Sequence, residues 1–106
     1  MSQLTNQAIP TSSGLQAAID VVKQLRHPTL GCPWDLEQTH ATLRQYMLEE
    51  AYEAVEAIDS QSVSHIKEEL GDVLLQVLLH AQIAEDNNAF TLDDLAQALA
   101  DKLIYR

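Results

Sequence analysis

Two acidic clusters carry the chemistry this chain could do. EEAYE holds Glu49, Glu50 and Glu53, and EELGD holds Glu68, Glu69 and Asp72. On a helix Glu50 and Glu53 share a face, and Glu69 and Asp72 repeat that spacing on the following segment. If the two segments fold back as an antiparallel hairpin, Glu50, Glu53, Glu69 and Asp72 can converge. Anions brought together in a partly buried place repel one another and lose hydration. A hard divalent cation with oxygen ligands relieves both penalties, and Mg²⁺ or Mn²⁺ suits four carboxylates. The competing reading is a solvated face, since Glu is a strong helix former and acidic runs are common on surfaces. Ala51, Val55, Ile58, Leu70, Val73 and Leu74 lie among the acids, which predicts that part of the acidic face borders the core.

The elements that must position these acids are helices. Gly and Pro are sparse, three of each in 106 residues, and fall mostly outside the long periodic segments, which predicts an all-α domain. Residues 1–13 read as a flexible arm and 14–106 as the domain. Ser12 and Ser13 offer caps for a first helix over about Gly14 to Arg26, with Leu15, Ala18, Ile19, Val22 and Leu25 as its apolar stripe. Pro28, Gly31 and Pro33 make His27 to Asp35 a loop, from which Asp35 can cap the next helical region, with a break near His40 and Ala41. That region runs through Ile58 to a turn at Asp59 to Ser62. A third helix covers Val63 to Asp86, apolar over so much of its circumference that part of it is expected to meet another subunit. Gly71 in its middle suggests a close helix approach beside Asp72. After a turn at Asn87 to Ala89, Thr91 caps a fourth helix, with Asp94 at the capping-box position.

Charge and composition narrow the function classes. A formal net charge of −10 argues against binding nucleic acid through its phosphates, and means a phosphate-bearing ligand must be held through cations or a local basic patch. Cys32 is the only cysteine, so no intrachain disulfide can form, which fits a reducing cytoplasm. No apolar run approaches the roughly 20 residues of a membrane span, and no Gly-rich phosphate loop is present.

Other residues admit two readings each. Lys102 and Arg106, four apart on the last helix, could grip phosphates or simply complement the helix dipole. Trp34 could stack on a nucleobase or anchor its loop by packing. Cys32 reads as a packed thiol, with no base near it in sequence. Glu37 and His40 form a single E-x-x-H element, short of the two that a di-iron bundle needs. His80, two turns beyond Asp72, reads as a core histidine or as the outer end of the acidic site.

The strings GCPWDLEQTH, LEEAYEAVEAI and EELGDVLLQVLLHAQIAE, in that order, resemble MazG-type nucleoside triphosphate pyrophosphohydrolases. The resemblance covers roughly Leu15 to Arg106. The metal motif of that family, E-E-x-x-E followed by E-x-x-D, reads here as Glu49-Glu50-x-x-Glu53 and Glu69-x-x-Asp72. The resemblance implies an all-α fold of four helices, working as a homo-oligomer, dimer or tetramer, with bundles assembled across subunits. It implies Mg²⁺-dependent cleavage of a nucleoside triphosphate to the monophosphate and pyrophosphate, by water attack at the α–β linkage. On this basis Glu50, Glu53, Glu69 and Asp72 would be the metal ligands. Glu49 and Glu53 would be the catalytic carboxylates, with Glu49 supporting the site or activating water. Lys102 and Arg106 resemble the family's basic pair on the last helix and would contact phosphates, and Trp34 is the candidate for stacking on the base. Two departures stand out. His27 occupies a place where many relatives have an acid, and the basic, histidine-containing segment that often follows the last helix has no counterpart in these residues. Rival readings are a narrower relative acting on dUTP or phosphoribosyl-ATP, and a non-catalytic helical oligomerisation module.

Overall fold

The computed structural model describes residues 13–105. Chain contacts divide it into two compact units, Met1–Glu37 and Gln38–Arg106. Helix is the only regular structure among the described residues. The expected N-terminal arm lies, apart from Ser13, outside them.

In the first unit α1 spans Gly14–Leu25, and the Ser13 hydroxyl caps it by accepting from the Gln16 amide at 3.1 Å. The chain then turns sharply. The Gly31 amide donates to the His27 carbonyl at 2.9 Å and the Cys32 amide to the Leu25 carbonyl at 2.8 Å. His27 Nδ1 accepts from the Thr29 and Leu30 amides at 3.2 and 3.1 Å, a service that an acidic side chain could equally perform. A Cβ on Gly31 would lie 2.4 Å from the Leu25 carbonyl oxygen and 2.6 Å from that of His27, so this turn admits no side chain there. Asp35 does not cap the next helix, contrary to the sequence reading. A separate one-turn helix, α2, spans Pro33–Leu36 with Cys32 at its N-cap and Pro33 supplying a preset φ at N1, and Asp35 lies inside it. Asp35 is buried, and its carbonyl accepts from the buried Arg26 guanidinium.

In the second unit Thr39 and Thr42 form a reciprocal capping box that starts α3, His40–Ser60. The expected break near His40 is therefore a helix start. Only Gln61 and Ser62 separate α3 from α4, Val63–Asp86. Gln61 terminates α3 in the left-handed region at φ 63°, and the Ser62 hydroxyl caps α4. So short a connection makes the helices antiparallel, and His40 at the start of α3 indeed meets His80 late in α4. Thr91 and Asp94 form the expected capping box of α5, Leu92–Ile104.

Leu43, Ala54 and Ala57 on α3, with Leu78, Leu79, Ala81, Ile83 and Ala84 on α4, are the buried apolar residues of this unit. The alanines let the helix axes approach closely. Part of the acidic face borders the core as expected, since Glu50, Glu69, Asp72 and Val73 are half-buried, while Ala51, Val55, Ile58, Leu70 and Leu74 are exposed because within one chain a two-helix hairpin buries only one seam. One expectation fails here. Gly71 is exposed with nothing within 4 Å of a Cβ built on it, so no close approach within the chain explains it.

Candidate metal centre

The hairpin brings one turn of α3 against one turn of α4. Glu50, Glu69 and Asp72 each place a carboxylate oxygen so that the three atoms lie within 4.8 Å of one another. All three residues are half-buried. Glu50 Oε2 and Glu69 Oε2 are shut off from solvent and have no hydrogen-bond partner. Buried, unpaired carboxylate oxygens are costly unless a cation or a proton joins them.

The acid strengths record that cost. Burial pushes the Glu50 carboxyl up from its ordinary range, and the charges of Glu53 and Asp72, a hydrogen bond with Glu53 and the charge of Glu69 push it further. Glu69 is raised by burial first, then by Glu53 and Asp72, while His65 pulls it down. His65 Nε2 stands 3.5 Å from Glu69 Oε1, one turn before it on α4. Burial and like charge thus both favour the neutral acids, and a divalent cation would reverse both. Three converging oxygen donors with orphaned lone pairs fit a hard cation of the Mg²⁺ or Mn²⁺ kind.

The remaining sequence candidates fall in different places. Glu53 is exposed and stands outside the three-residue group, close enough that its charge raises both Glu50 and Glu69. Glu49 is exposed and accepts from Gln45 Nε2 at 3.4 Å. Lys102 is exposed in the last turn of α5, while Arg106 lies outside the described residues. Trp34 belongs to the first unit, where it sits in α2, 48% exposed. His80 is half-buried, and its partner is a second histidine. Its Nδ1 is 2.7 Å from Nδ1 of His40. With ring centres 5.0 Å apart and planes 7° apart, the two nitrogens meet nearly head-on in a common plane. That is the geometry of an N–H···N hydrogen bond, in which one ring donates and the other accepts. Two residues near the site escaped the sequence reading: His65, legible from its i, i+4 spacing to Glu69, and Gln76, whose burial no spacing foretold.

Residues 38–106 match the family of the MazG nucleotide pyrophosphohydrolase domain. This chain belongs to that family. The match coincides with the second unit and includes all the acids of the metal motif. The chain is 51% identical over 88 residues to the nucleoside triphosphate pyrophosphohydrolase/pyrophosphatase MazG of Thermotoga maritima, covering 83% of this chain and 34% of that protein. It is 48% identical over 96 residues to a nucleoside triphosphate pyrophosphohydrolase of Mycobacterium tuberculosis, covering 89% of this chain and 30% of that one. It is also 56% identical over 86 residues to the uncharacterized protein YabN of Bacillus subtilis, covering 81% of this chain and 17% of YabN. These alignments are longer than the domain match, so similarity reaches into the first unit. The chain spans no more than about a third of the length of these relatives.

Proposed function

We propose that this chain is a Mg²⁺-dependent nucleoside triphosphate pyrophosphohydrolase that cleaves a ribo- or deoxyribonucleoside triphosphate to the monophosphate and pyrophosphate. Mn²⁺ would substitute for Mg²⁺. The observation that carries the reading is the convergence of Glu50, Glu69 and Asp72, two of them with buried, unpartnered oxygens. The MazG family match and the activity named for the Thermotoga and Mycobacterium relatives support the substrate class.

Glu50, Glu69 and Asp72 would hold the cation, with Glu53 joining them from the edge of the group. When bound, such a cation supplies positive charge that activates water and offsets the charge developing on phosphoryl oxygens. The chain has its own part to play. With a net charge of −10 the chain cannot draw in a triphosphate by long-range attraction, so cations would bridge its acids to the phosphates. Glu49, exposed and outside the ligand group, would orient or deprotonate a water attacking the α–β linkage, and Glu53 would share in that role from its place at the edge of the ligands. Lys102 and Arg106 would contact the phosphates.

Homo-oligomerisation fits the same reading. Leu48, Tyr52 and Val55 form an exposed stripe on α3, and Leu70 and Leu74 form another on α4. Apolar stripes of this length are covered in stable proteins, and a second copy is the partner the family resemblance implies. A cytoplasmic setting goes with the lone Cys32.

The test is pyrophosphate release across a panel of ribo- and deoxyribonucleoside triphosphates, dUTP and phosphoribosyl-ATP, with and without Mg²⁺. Glu53→Gln and Asp72→Asn should each lower turnover by at least about 100-fold while circular dichroism stays at the wild-type level. Full turnover in both variants would remove the carboxylates from the mechanism. A rise in thermal stability with Mg²⁺ and no nucleotide cleaved would instead identify a metal-stabilised helical module.

A further inference from the structure

Among the described residues three buried side-chain oxygens have no hydrogen-bond partner: Glu50 Oε2, Glu69 Oε2 and Gln76 Oε1. The first two belong to the carboxylate group. Gln76 is 6% exposed and is the one buried polar residue of α4 among Leu78, Leu79, Ala81, Ile83 and Ala84. It follows Asp72 by four residues and Glu69 by seven, so the three share one face of α4. Long side chains on a helix lean over the preceding turn, which directs Gln76 back toward Asp72.

An amide oxygen that is buried and unpaired destabilises a fold, and an apolar side chain of like size would carry no such penalty. The oxygen therefore needs a donor. Its neighbours on this face are acids, and a cation that holds them ionised leaves them no proton to donate. His80, one turn further on, has its Nδ1 committed to His40. A hydrated Mg²⁺ keeps several of its waters, and those waters are strongly polarised donors that need acceptors. A fifth carboxylate would add repulsion, whereas an amide oxygen adds an acceptor without charge.

We propose that Gln76 is a positioning residue of the metal centre, its Oε1 accepting a hydrogen bond from a water carried by the cation that Glu50, Glu69 and Asp72 bind. The inference rests on the metal-centre reading and extends it by one turn of α4.

The experiment measures free Mn²⁺ by electron paramagnetic resonance in titrations of the full chain, beside thermal denaturation in EDTA. Gln76→Leu should weaken Mn²⁺ binding roughly 5- to 10-fold, the worth of one hydrogen bond, while leaving the melting temperature in EDTA unchanged or higher. Gln76→Glu, which keeps an oxygen in place, should bind Mn²⁺ at least as tightly as wild type. A Gln76 that only packs gives the reverse pattern, a lower melting temperature and unaltered Mn²⁺ affinity, and that result overturns the proposal. Should Gln76→Leu fail to fold, Gln76→Met removes the acceptor with an unbranched chain, and the same two outcomes apply. Asp72→Asn separates the two levels of the argument. Wild type that binds no Mn²⁺ overturns the metal centre together with this inference. Mn²⁺ binding lost in Asp72→Asn but intact in Gln76→Leu overturns the role of Gln76 alone.

Discussion

Glu50 and Glu69 are held in a pocket that disfavours their own charge, and that fact has a measurable sign. Both carboxyls are raised above the ordinary 4.5, so the folded state binds their protons more tightly than the unfolded chain does. Their contribution to stability is full below pH 4.5 and is lost as pH rises through their raised values. In EDTA the urea midpoint should therefore fall as pH climbs from the carboxylate range toward neutrality. Mg²⁺ should remove that fall, its stabilisation growing with pH, and binding should release protons in calorimetry run in buffers of different ionisation enthalpy. A Mg²⁺ effect independent of pH would contradict the geometry. Glu50→Gln should flatten the pH dependence in EDTA and lose most of the response to the ion.

At the scale of elements, the hairpin of α3 and α4 is pinned at both ends. Gln61 and Ser62 close one end, and the His40–His80 bond fastens the other. The bond needs an unprotonated acceptor nitrogen, and burial, then the neighbouring His40, lowers the tendency of His80 to take a proton. Its contribution is thus present above the ordinary 6.5 and lost as pH falls through the depressed value. His80→Leu should cost about 1 kcal/mol at neutral pH, and the gap to wild type should close on acidification, as followed by urea denaturation. The turn after α1 makes a different demand. Gly31→Ala would push a methyl against backbone atoms of Leu25 and His27, and should destabilise by about 1–3 kcal/mol in the same assay.

For the whole molecule, the exposed stripe of Leu48, Tyr52 and Val55 lies on the helix that carries Glu49, Glu50 and Glu53. A partner that covers it would also exclude water beside the acids and strengthen their electrostatics. Tyr52→Arg combined with Val55→Asp should shift the sedimentation coefficient to that of a monomer and lower pyrophosphate release, with helicity retained. An unaltered coefficient would assign the stripe to some other partner.

Much of this was legible in the residues themselves. Caps are local, so Ser13 and Thr91 marked helix starts by side-chain chemistry within one turn, whereas the Thr39 cap was read as a break inside a longer helical region. The 3-residue spacing of the acids, with a short turn expected at Asp59 to Ser62, made convergence of Glu50 with Glu69 and Asp72 readable as the consequence of an antiparallel return, since helix periodicity leaves few other registers. The family followed from ordered motifs. What the chain alone could not express was which apolar residues one hairpin has room to bury. Ala54 and Ala57 are inside while Val55 and Ile58 are outside, because seam width is set by how closely the helix axes approach. Nor could spacing foretell that Glu53 stands at the rim of the acids, that two histidines forty residues apart share one hydrogen bond, or that Gln76 is buried without a partner. Those outcomes depend on distances across the hairpin, and packing in three dimensions decides them.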